Sequence, residues 1–304
     1  MAKSFPLAGK IKGEIRYSVP LSGYTSFRVG GPIDYLAFPA DMEDLRKTLQ
    51  WCRGQGVRYF ILGNGTNLLV RDGGVRGMAI SLSRGFIGLE EAELDQGEKL
   101  VFSGAGEPLG RVVEFAPGRG LAGLEFAAGI PGTVGGAIFM NAGAFQGEMK
   151  DAIDSVRLMD AEGKVWERRR GELKFSYRSM ELREGEVILG GRFRLRAGDG
   201  QKVREKVEEI LHRRRIKQPL DLPSAGSIFK NPPQGPAGKL IEEAGLKGRR
   251  LGDAQISEKH ANFIVNRGRA RAGDILALIE LAREKVLKEY GVLLEMEIQV
   301  VGED

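Results

Sequence analysis

The stretch Gly129-Ile-Pro-Gly-Thr-Val-Gly-Gly-Ala137 holds four glycines and one proline within nine residues. This composition argues against a regular helix or a central strand, because both residue types weaken such elements. Glycine also allows positive φ and lets another group come close to the main chain. Successive N–H groups in such a loop form a concavity that suits a phosphate. The stretch therefore indicates either a complicated turn or a loop that holds the pyrophosphate of a cofactor.

A second glycine-containing loop, Gly63-Asn-Gly-Thr-Asn67, follows the apolar run Tyr59-Phe-Ile-Leu62. A polar turn at the end of a buried strand is a common place for a nucleotide phosphate, and a plain hairpin is the alternative. The loop is not a dinucleotide fingerprint, since Leu68 stands at the third glycine position. Asn64 and Asn67 supply side-chain donors that a plain hairpin does not need, which favours a second cofactor loop.

Length and composition limit the number of domains, the class of protein and the kind of ligand. The 304 residues are enough for two or three domains, and 42% hydrophobic with 29% charged residues is typical of a globular protein. The 44 glycines exceed the usual share of about 7%. The net charge of +5, from 46 basic and 41 acidic side chains, favours an anionic small molecule as readily as nucleic acid.

The chain has few cysteines and histidines, which excludes several classes of metal and redox site. With one cysteine, Cys52, the chain has neither a CxxC pair nor a cysteine-built metal site, and with two histidines it has no HExxH motif. We therefore expect no bound metal. The N-terminus lacks the apolar core of a signal peptide and no run of ~18 apolar residues occurs. These features predict a cytoplasmic protein that does not enter the membrane.

Hydrophobic periodicity predicts alternating strands and helices. Asp41 is predicted to cap the first helix, whose apolar stripe includes Cys52 as a core residue rather than a reactive thiol. Asp274 is predicted to cap the last helix. The predicted strands are 35–38, 59–62, 78–80, 99–102, 152–159, 165–168, 187–196 and 262–265, with a final strand at 294–300. The predicted helices run from Asp41, over 107–116, from 203 to an end in the basic run 213–217, over 240–244, and from Asp274.

Three polar segments are candidates for chemistry. Ser176-Tyr-Arg178 places an aromatic beside a guanidinium, which binds carboxylates and phosphates through paired hydrogen bonds, although the spacing alone does not favour a ligand contact. Ser227 is either a turn serine or a proton donor, and no nearby histidine or acid supports a hydrolase triad. Glu295 and Glu297 share the polar face of the predicted final strand, which normally faces water.

The basic run Arg213–Lys217 leaves three interpretations open. It could be a solvated helix end stabilised by the helix dipole, a nucleic-acid patch, or a pocket wall that faces a diphosphate. The absence of interleaved aromatic residues weakens the nucleic-acid interpretation.

Six motifs occur together and in order: the two glycine loops, Asn141-Ala-Gly-Ala144, Ser176-Tyr-Arg178, Ala225-Gly-Ser-Ile-Phe-Lys-Asn-Pro232 and Glu295-Met-Glu-Ile298. In this combination the chain, from about Thr25 to Gly302, resembles the UDP-N-acetylenolpyruvoylglucosamine reductase (MurB) family of bacterial cell-wall synthesis. The resemblance implies an α+β flavoenzyme with an FAD-binding PCMH (vanillyl-alcohol-oxidase-type) fold in two subdomains and a C-terminal α+β substrate domain.

The resemblance also implies the reaction and the residues that perform it. NADPH reduces non-covalently bound FAD, hydride passes from flavin N5 to C3 of UDP-N-acetylglucosamine enolpyruvate, and a proton reaches C2 to give UDP-N-acetylmuramate. Ser227 is the implied proton donor, with Arg178 on the substrate carboxylate and Glu297 as the essential acid. The implied substrate-binding residues are Tyr177, Lys217, Lys230, Asn231 and His260. The implied cofactor-binding residues are Gly63, Asn64, Gly65, Thr66, Asn67, Leu68, Gly129, Ile130, Pro131, Gly132, Thr133, Gly135, Gly136, Ala137, Asn141, Ala142 and Gly143.

The short segment between Arg178 and Ser227 has no room for a tyrosine-bearing substrate loop, so the chain resembles the shorter subtype of the family. The expected domains are 1–82 and 83–198 for the two FAD subdomains and 199–297 for the substrate domain, with the tail 298–304 packing on the first. We expect a monomer whose partners are the sugar nucleotide and NADPH, without nucleic acid. Two alternatives stay open: an FAD-dependent oxidoreductase of the same fold acting on another small molecule, and a basic nucleic-acid-binding protein.

Overall fold

The computed structural model describes residue 9 and residues 11–93 and 98–304. The chain folds into two compact units. The first contains the described residues up to Tyr17 together with Tyr35–Gly63 and Gly77–His212; the second contains Ser18–Asp34, Asn64–Arg76 and Arg213–Asp304. The three-domain division expected from the sequence stays a prediction.

Strands and helices alternate along the whole described chain. The strands are β1 Glu14–Pro20, β2 Pro32–Phe38, β3 Tyr59–Ile61, β4 Leu68–Val70, β5 Val75–Ile80, β6 Leu89–Glu93, β7 Glu98–Gly104, β8 Leu121–Ala122, β9 Gly143–Ala144, β10 Gly147–Glu148, β11 Ile153–Met159, β12 Val165–Arg169, β13 Phe175–Ser176, β14 Ser179–Met180, β15 Val187–Ala197, β16 Arg250–Leu251, β17 Ala254–Ile256, β18 Ile264–Asn266 and β19 Gln299–Val301. The α-helices are α1 Met42–Gln55, α2 Leu109–Gly118, α3 Val134–Phe139, α4 Met149–Ala152, α5 Gly200–Lys217, α6 Ala237–Glu243 and α7 Ala272–Tyr290.

The first unit is built on an antiparallel sheet in the order β12-β11-β15-β7-β6, with β8 beside β15. Its central strand β15 begins with consecutive buried apolar residues, because it is covered on both faces. Helices α2 and α3 contribute buried apolar side chains to the same core. The strands and hairpin predicted over residues 152–196 are therefore confirmed.

Helix α1 forms as predicted. The carboxylate of Asp41 accepts a hydrogen bond from the Asp44 N–H at 2.9 Å, and Gly56 ends the helix at a φ of +63°. Cys52 is fully buried on the apolar stripe, 3.6 Å from the sulfur of Met78. Burial raises the pKa of the Cys52 thiol to about 12, so the prediction of a core cysteine is confirmed.

The second unit packs α6 and α7 around the antiparallel sheet β16-β17-β18 and forms a separate parallel pair, β19 with β4. That pair aligns Gln299 with Leu68 and Val301 with Val70, so the C-terminal tail lies against the strand that follows the Gly63–Asn67 loop. Its core is distinct from that of the first unit and contains Phe229 and the apolar face of α7.

Three sequence predictions were wrong in detail. The end of the opening glycine stretch, from Val134 to Ala137, lies in the short helix α3, which Thr133 caps. Arg271, not Asp274, precedes α7; the Asp274 carboxylate instead bonds back to the Arg271 N–H. The final strand is limited to β19, and Met296, predicted to face inward, is exposed because residues 294–298 follow an irregular path.

Within the part of the chain that the structure describes, no helix has the length and apolar character needed to cross a membrane.

Candidate functional site

The first glycine loop is held in place from both sides within the first unit. The N–H of Val134 donates to the Glu107 carbonyl and the N–H of Gly135 to the Ala105 carbonyl, each at 2.9 Å. Thr133 Oγ1 accepts from the Gly136 N–H at 3.3 Å and so caps α3. Gly132 has a φ of +129°, a conformation that glycine adopts without strain. The loop is therefore a fixed structure rather than a flexible connection.

Gly63, from the second predicted cofactor loop, lies against this first loop. A Cβ on Gly63 would stand 2.9 Å from Thr133 Oγ1, so the close approach requires glycine. Among the described residues the main-chain N–H of Gly132 donates to no other backbone group. A glycine-rich loop with such an N–H group, and with glycine at the point of close approach, fits the pyrophosphate of a dinucleotide cofactor such as FAD.

The rest of the second loop belongs to the second unit. Gly65 has a φ of +60°, and a Cβ there would lie 2.1 Å from the Tyr24 carbonyl oxygen. Asn67 Nδ2 donates to the Glu297 carbonyl at 3.0 Å, and the Gln299 N–H donates to the Asn67 carbonyl at 2.9 Å. The structure thus brings a predicted cofactor residue, Asn67, next to a predicted catalytic residue, Glu297.

Ser227 precedes a segment that is hydrogen-bonded on two sides. The Glu297 N–H donates to the Ile228 carbonyl and the Ile228 N–H to the Asn262 carbonyl, both at 2.8 Å. The Asn262 side chain bonds both main-chain groups of Phe229, accepting at 2.9 Å and donating at 2.8 Å. Ser227 and Glu297 are therefore on directly bonded segments. The sequence pattern did not identify Asn262, because nothing in an isolated asparagine indicates a partner 33 residues away.

The predicted substrate residues of the second unit have distinct surroundings. Lys230 Nζ lies 3.4 Å from the Glu295 carboxylate, so Glu295 already has a cationic partner. Asn231 Oδ1 accepts from the Ala237 N–H at the start of α6. Lys217 is the exposed last residue of α5.

His260 packs against the Phe263 ring, and its Nδ1 accepts from the Asn262 N–H at 3.2 Å. Burial lowers the pKa of the His260 imidazole. This residue is therefore a neutral acceptor at pH 7, with the proton on Nε2, and it supports the asparagine that fixes the Ser227 segment.

Arg178 occupies the tip of the hairpin formed by β13 and β14, where Ser176 pairs with Ser179. Its φ of +62° is the left-handed value that the second central position of a type II turn requires and that glycine usually supplies. The guanidinium lies over the Tyr177 ring at 4.7 Å and donates to the Gly143 carbonyl at 3.1 Å. Two predicted sites, the Asn141–Gly143 segment and the Ser-Tyr-Arg motif, therefore meet within the first unit.

Asn141 and Glu148 lie beneath this contact. Asn141 is fully buried and has a φ of +40°. The Glu148 carboxylate lies 4.0 Å from the Arg178 guanidinium and 2.7 Å from Lys150 Nζ. Burial acts to raise the Glu148 pKa, but bonds from Lys150 and Asn141 outweigh it and lower the pKa below the ordinary value. Sequence analysis missed Glu148, although its place shortly after the Asn141-Ala-Gly-Ala144 motif was a signal.

No group of three or more His, Cys, Asp or Glu residues that could hold a metal ion occurs in residue 9, 11–93 or 98–304.

Comparison with known proteins links both halves of the chain to one kind of enzyme. Residues 33–168 match the model of an FAD binding domain, and residues 218–301 match that of the UDP-N-acetylenolpyruvoylglucosamine reductase C-terminal domain. The UDP-N-acetylenolpyruvoylglucosamine reductase of Syntrophus aciditrophicus is 46% identical over 97% of this chain and 94% of its own length. That of Clostridium novyi is 43% identical over 96% and 94%. The crystal structure of the Thermus caldophilus enzyme superposes with a TM-score of 0.80 at 39% identity, covering 95% of this chain and 99% of that one.

Proposed function

The chain belongs to the UDP-N-acetylenolpyruvoylglucosamine reductase family, and on that premise we propose that it reduces UDP-N-acetylglucosamine enolpyruvate to UDP-N-acetylmuramate with NADPH and FAD. This reaction serves peptidoglycan synthesis. The observation that carries the proposal is similarity to such reductases along nearly the full length of both chains. The predicted α+β class and FAD-binding fold are confirmed by the same comparisons.

The two glycine loops supply the cofactor site of this proposal. Main-chain N–H groups around Gly132, whose φ of +129° favours glycine, would hold the pyrophosphate of FAD. Gly63 lies close to the same loop, because a Cβ there would stand 2.9 Å from Thr133 Oγ1. When bound, FAD accepts hydride from NADPH and delivers it to C3 of the enolpyruvyl group.

Residues of this chain stabilise the negative charge that develops in the reaction and supply the proton. Hydride addition at C3 develops negative charge on C2 and on the adjoining carboxylate. The Arg178 guanidinium stabilises that carboxylate through preorganised charge, an effect that is strongest in a site that excludes water. Ser227 Oγ–H then gives its proton to C2, so that a C–H bond forms as the O–H bond breaks. Glu297 is the acidic partner whose segment is bonded to that of Ser227.

Serine is a weak acid in water, so this role depends on its surroundings. The bonds from Asn262 and Glu297 to residues 228 and 229 fix the main chain that carries Ser227. They fix the position from which the Ser227 side chain extends, so that little main-chain reorganisation is needed during proton transfer.

Anaerobic stopped-flow measurement of the two half-reactions tests the proposal. Ser227→Ala should leave reduction of the flavin by NADPH unchanged and slow its reoxidation by the sugar nucleotide by about 10²–10⁴-fold, the usual range for general acid catalysis. Ser83→Ala, which alters an exposed serine, is the matched control. Equal loss in both half-reactions would assign Ser227 to cofactor binding. A wild-type protein whose reduced flavin does not react with the sugar nucleotide would overturn the proposed reaction.

Glu297 and Glu295 form an internal comparison. Glu297→Gln should slow reoxidation alone, whereas Glu295→Gln, whose side chain pairs with Lys230 at the surface, should keep both rates within about twofold. Loss of reoxidation in the Glu295 variant and not in the Glu297 variant would reverse the assignment.

The proposal includes the localisation of the enzyme, its oligomeric state and its lack of nucleic-acid binding. A cytoplasmic monomer that binds no nucleic acid agrees with the modest charge excess of +5 and with the position of Lys217 and its basic neighbours at the end of α5, where the helix dipole favours cations. Gel filtration and a salt-dependent nucleic-acid binding assay check these two points.

A further inference from the structure

The buried side chain of Asn141 is fully engaged as a donor. Its Nδ2 donates to Glu148 Oε2 and to the Ser176 carbonyl, each at 3.0 Å, and its Oδ1 accepts from the Lys150 N–H at 3.0 Å. An asparagine amide has two N–H donors. Both are committed to groups of the protein, so the side chain has no donor left for a bound flavin. We therefore look for the role of Asn141 in the segments of the protein that its hydrogen bonds join.

These bonds join the two segments that surround the Arg178 guanidinium. One partner, Ser176, belongs to the hairpin that carries Arg178 at its tip. The other, Glu148, places Oε1 4.0 Å from Arg178 Nη1, while Arg178 Nη2 donates to the Gly143 carbonyl. A change at Glu148 would act on the Arg178 guanidinium directly, over 4.0 Å, and a change at Asn141 would act on it through Glu148 or through Ser176.

The main chain has positive φ at both ends of this connection. Arg178 has a φ of +62°, which few residues other than glycine adopt, and Asn141 has a φ of +40°, a conformation that asparagine tolerates better than most residues. Such conformations persist where the surroundings over-determine them, and they cluster at functional sites. The bonded carboxylate and amide supply that constraint here.

A surface ion pair is the competing explanation for Glu148, since Lys150 Nζ lies 2.7 Å from its carboxylate. The Lys150 side chain is 47% exposed, and exposed pairs contribute little. The Glu148 side chain is 22% exposed and also accepts the buried amide of Asn141. The hydrogen bond from buried Asn141 indicates that Glu148 does more than form a surface ion pair with Lys150.

We propose that Asn141 and Glu148 are positioning residues that hold the Arg178 guanidinium in the orientation needed to bind the carboxylate of the substrate. The inference rests on the proposed function, in which Arg178 contacts that carboxylate. At 4.0 Å, Glu148 orients the guanidinium electrostatically without the paired hydrogen bonds that would compete with a substrate carboxylate.

Glu148→Gln keeps the shape of the side chain and removes its charge, so it is the principal test. We expect kcat/KM for the enolpyruvyl sugar nucleotide to fall about 10-fold, the equivalent of weakening one charge-assisted interaction. Flavin content and the rate of flavin reduction by NADPH should stay at wild-type values. Lys150→Gln, which removes the surface pair alone, is the matched control and should leave the kinetic constants within twofold.

A double-mutant cycle with Arg178→Ala separates a positioning role from a structural one. If Glu148 acts through Arg178, adding Glu148→Gln to the Arg178→Ala variant should have no further effect on flavin reoxidation. An effect of the same size in both backgrounds would overturn the inference, as would wild-type kcat/KM in Glu148→Gln. If the wild type itself does not reoxidise with this substrate, the proposed function fails and the inference fails with it.

Discussion

The left-handed conformation of Arg178 predicts an unusual order of stability among its variants. The φ of +62° costs a residue with a Cβ about 1–2 kcal/mol relative to glycine. Replacing glycine by alanine normally stabilises a protein by about 0.4–1 kcal/mol through the unfolded state. The difference leaves Arg178→Gly more stable than Arg178→Ala by roughly 0.8 kcal/mol.

The comparison with the wild type follows from the contacts that the side chain makes. Both variants lose the bond to the Gly143 carbonyl, worth about 1 kcal/mol net. In Arg178→Gly the relief of strain offsets this loss, so its free energy of unfolding should lie within about 1 kcal/mol of the wild type. Arg178→Ala keeps the strain and should be the least stable of the three.

Activity should not follow stability. Both variants lack the guanidinium, so kcat/KM for the sugar nucleotide should fall by about 10²–10³-fold in each, as when one preorganised donor is removed from an active site. Urea denaturation followed by circular dichroism, together with steady-state kinetics, measures both quantities. Arg178→Lys, which keeps the charge but not the paired donors, should retain intermediate activity. An alanine variant more stable than the glycine variant would refute the strain argument, and full activity in either would refute the role of the side chain.

Three further predictions concern the framework around the site. Asp72→Ala should cost about 1–2 kcal/mol of unfolding free energy in urea denaturation, because its carboxylate accepts the N–H groups of Ala272 and Gly273 at 3.0 and 3.1 Å and so caps α7; a value below about 0.3 kcal/mol would contradict this. Gly65→Ala should destabilise by about 2 kcal/mol or more and lower flavin affinity in a fluorescence titration, because its Cβ would lie 2.1 Å from a carbonyl oxygen; wild-type affinity would argue against the tight loop. The Cys52 thiol should resist iodoacetamide at pH 8 until the protein unfolds, since its pKa of about 12 keeps it neutral. The unfolded thiol ionises near pH 8.5, so the stability that the neutral thiol contributes should decline as the pH rises above that value; a pH slope identical in Cys52→Ala would contradict the linkage.

Much of the fold was predictable because local rules and tertiary contacts agree. Helix α1 has its capping aspartate, its apolar stripe and its terminal glycine, and all three act as predicted. The hairpin of β11 and β12 follows from alternation around a glycine-containing turn. The predictions failed where a distant group replaced a local one: Asp72, 200 residues away, bonds the start of α7, so Asp274 was not needed as its cap.

The candidate site likewise has features that could be predicted from the sequence and others that depend on distant residues. The identity of the chemical groups, the glycine loops and the family motifs was visible in the order of residues, since glycine, serine, arginine and glutamate carry their conformational freedom or charge wherever they stand. The surroundings of those groups were not visible. Asn262 beside the Ser227 segment and Glu148 beside Arg178 are brought there by folding, and hydrogen bonds and charge act over a few ångströms of space regardless of separation along the chain. The order of residues therefore shows which chemical groups are present, and folding establishes which of them come close enough to constrain one another.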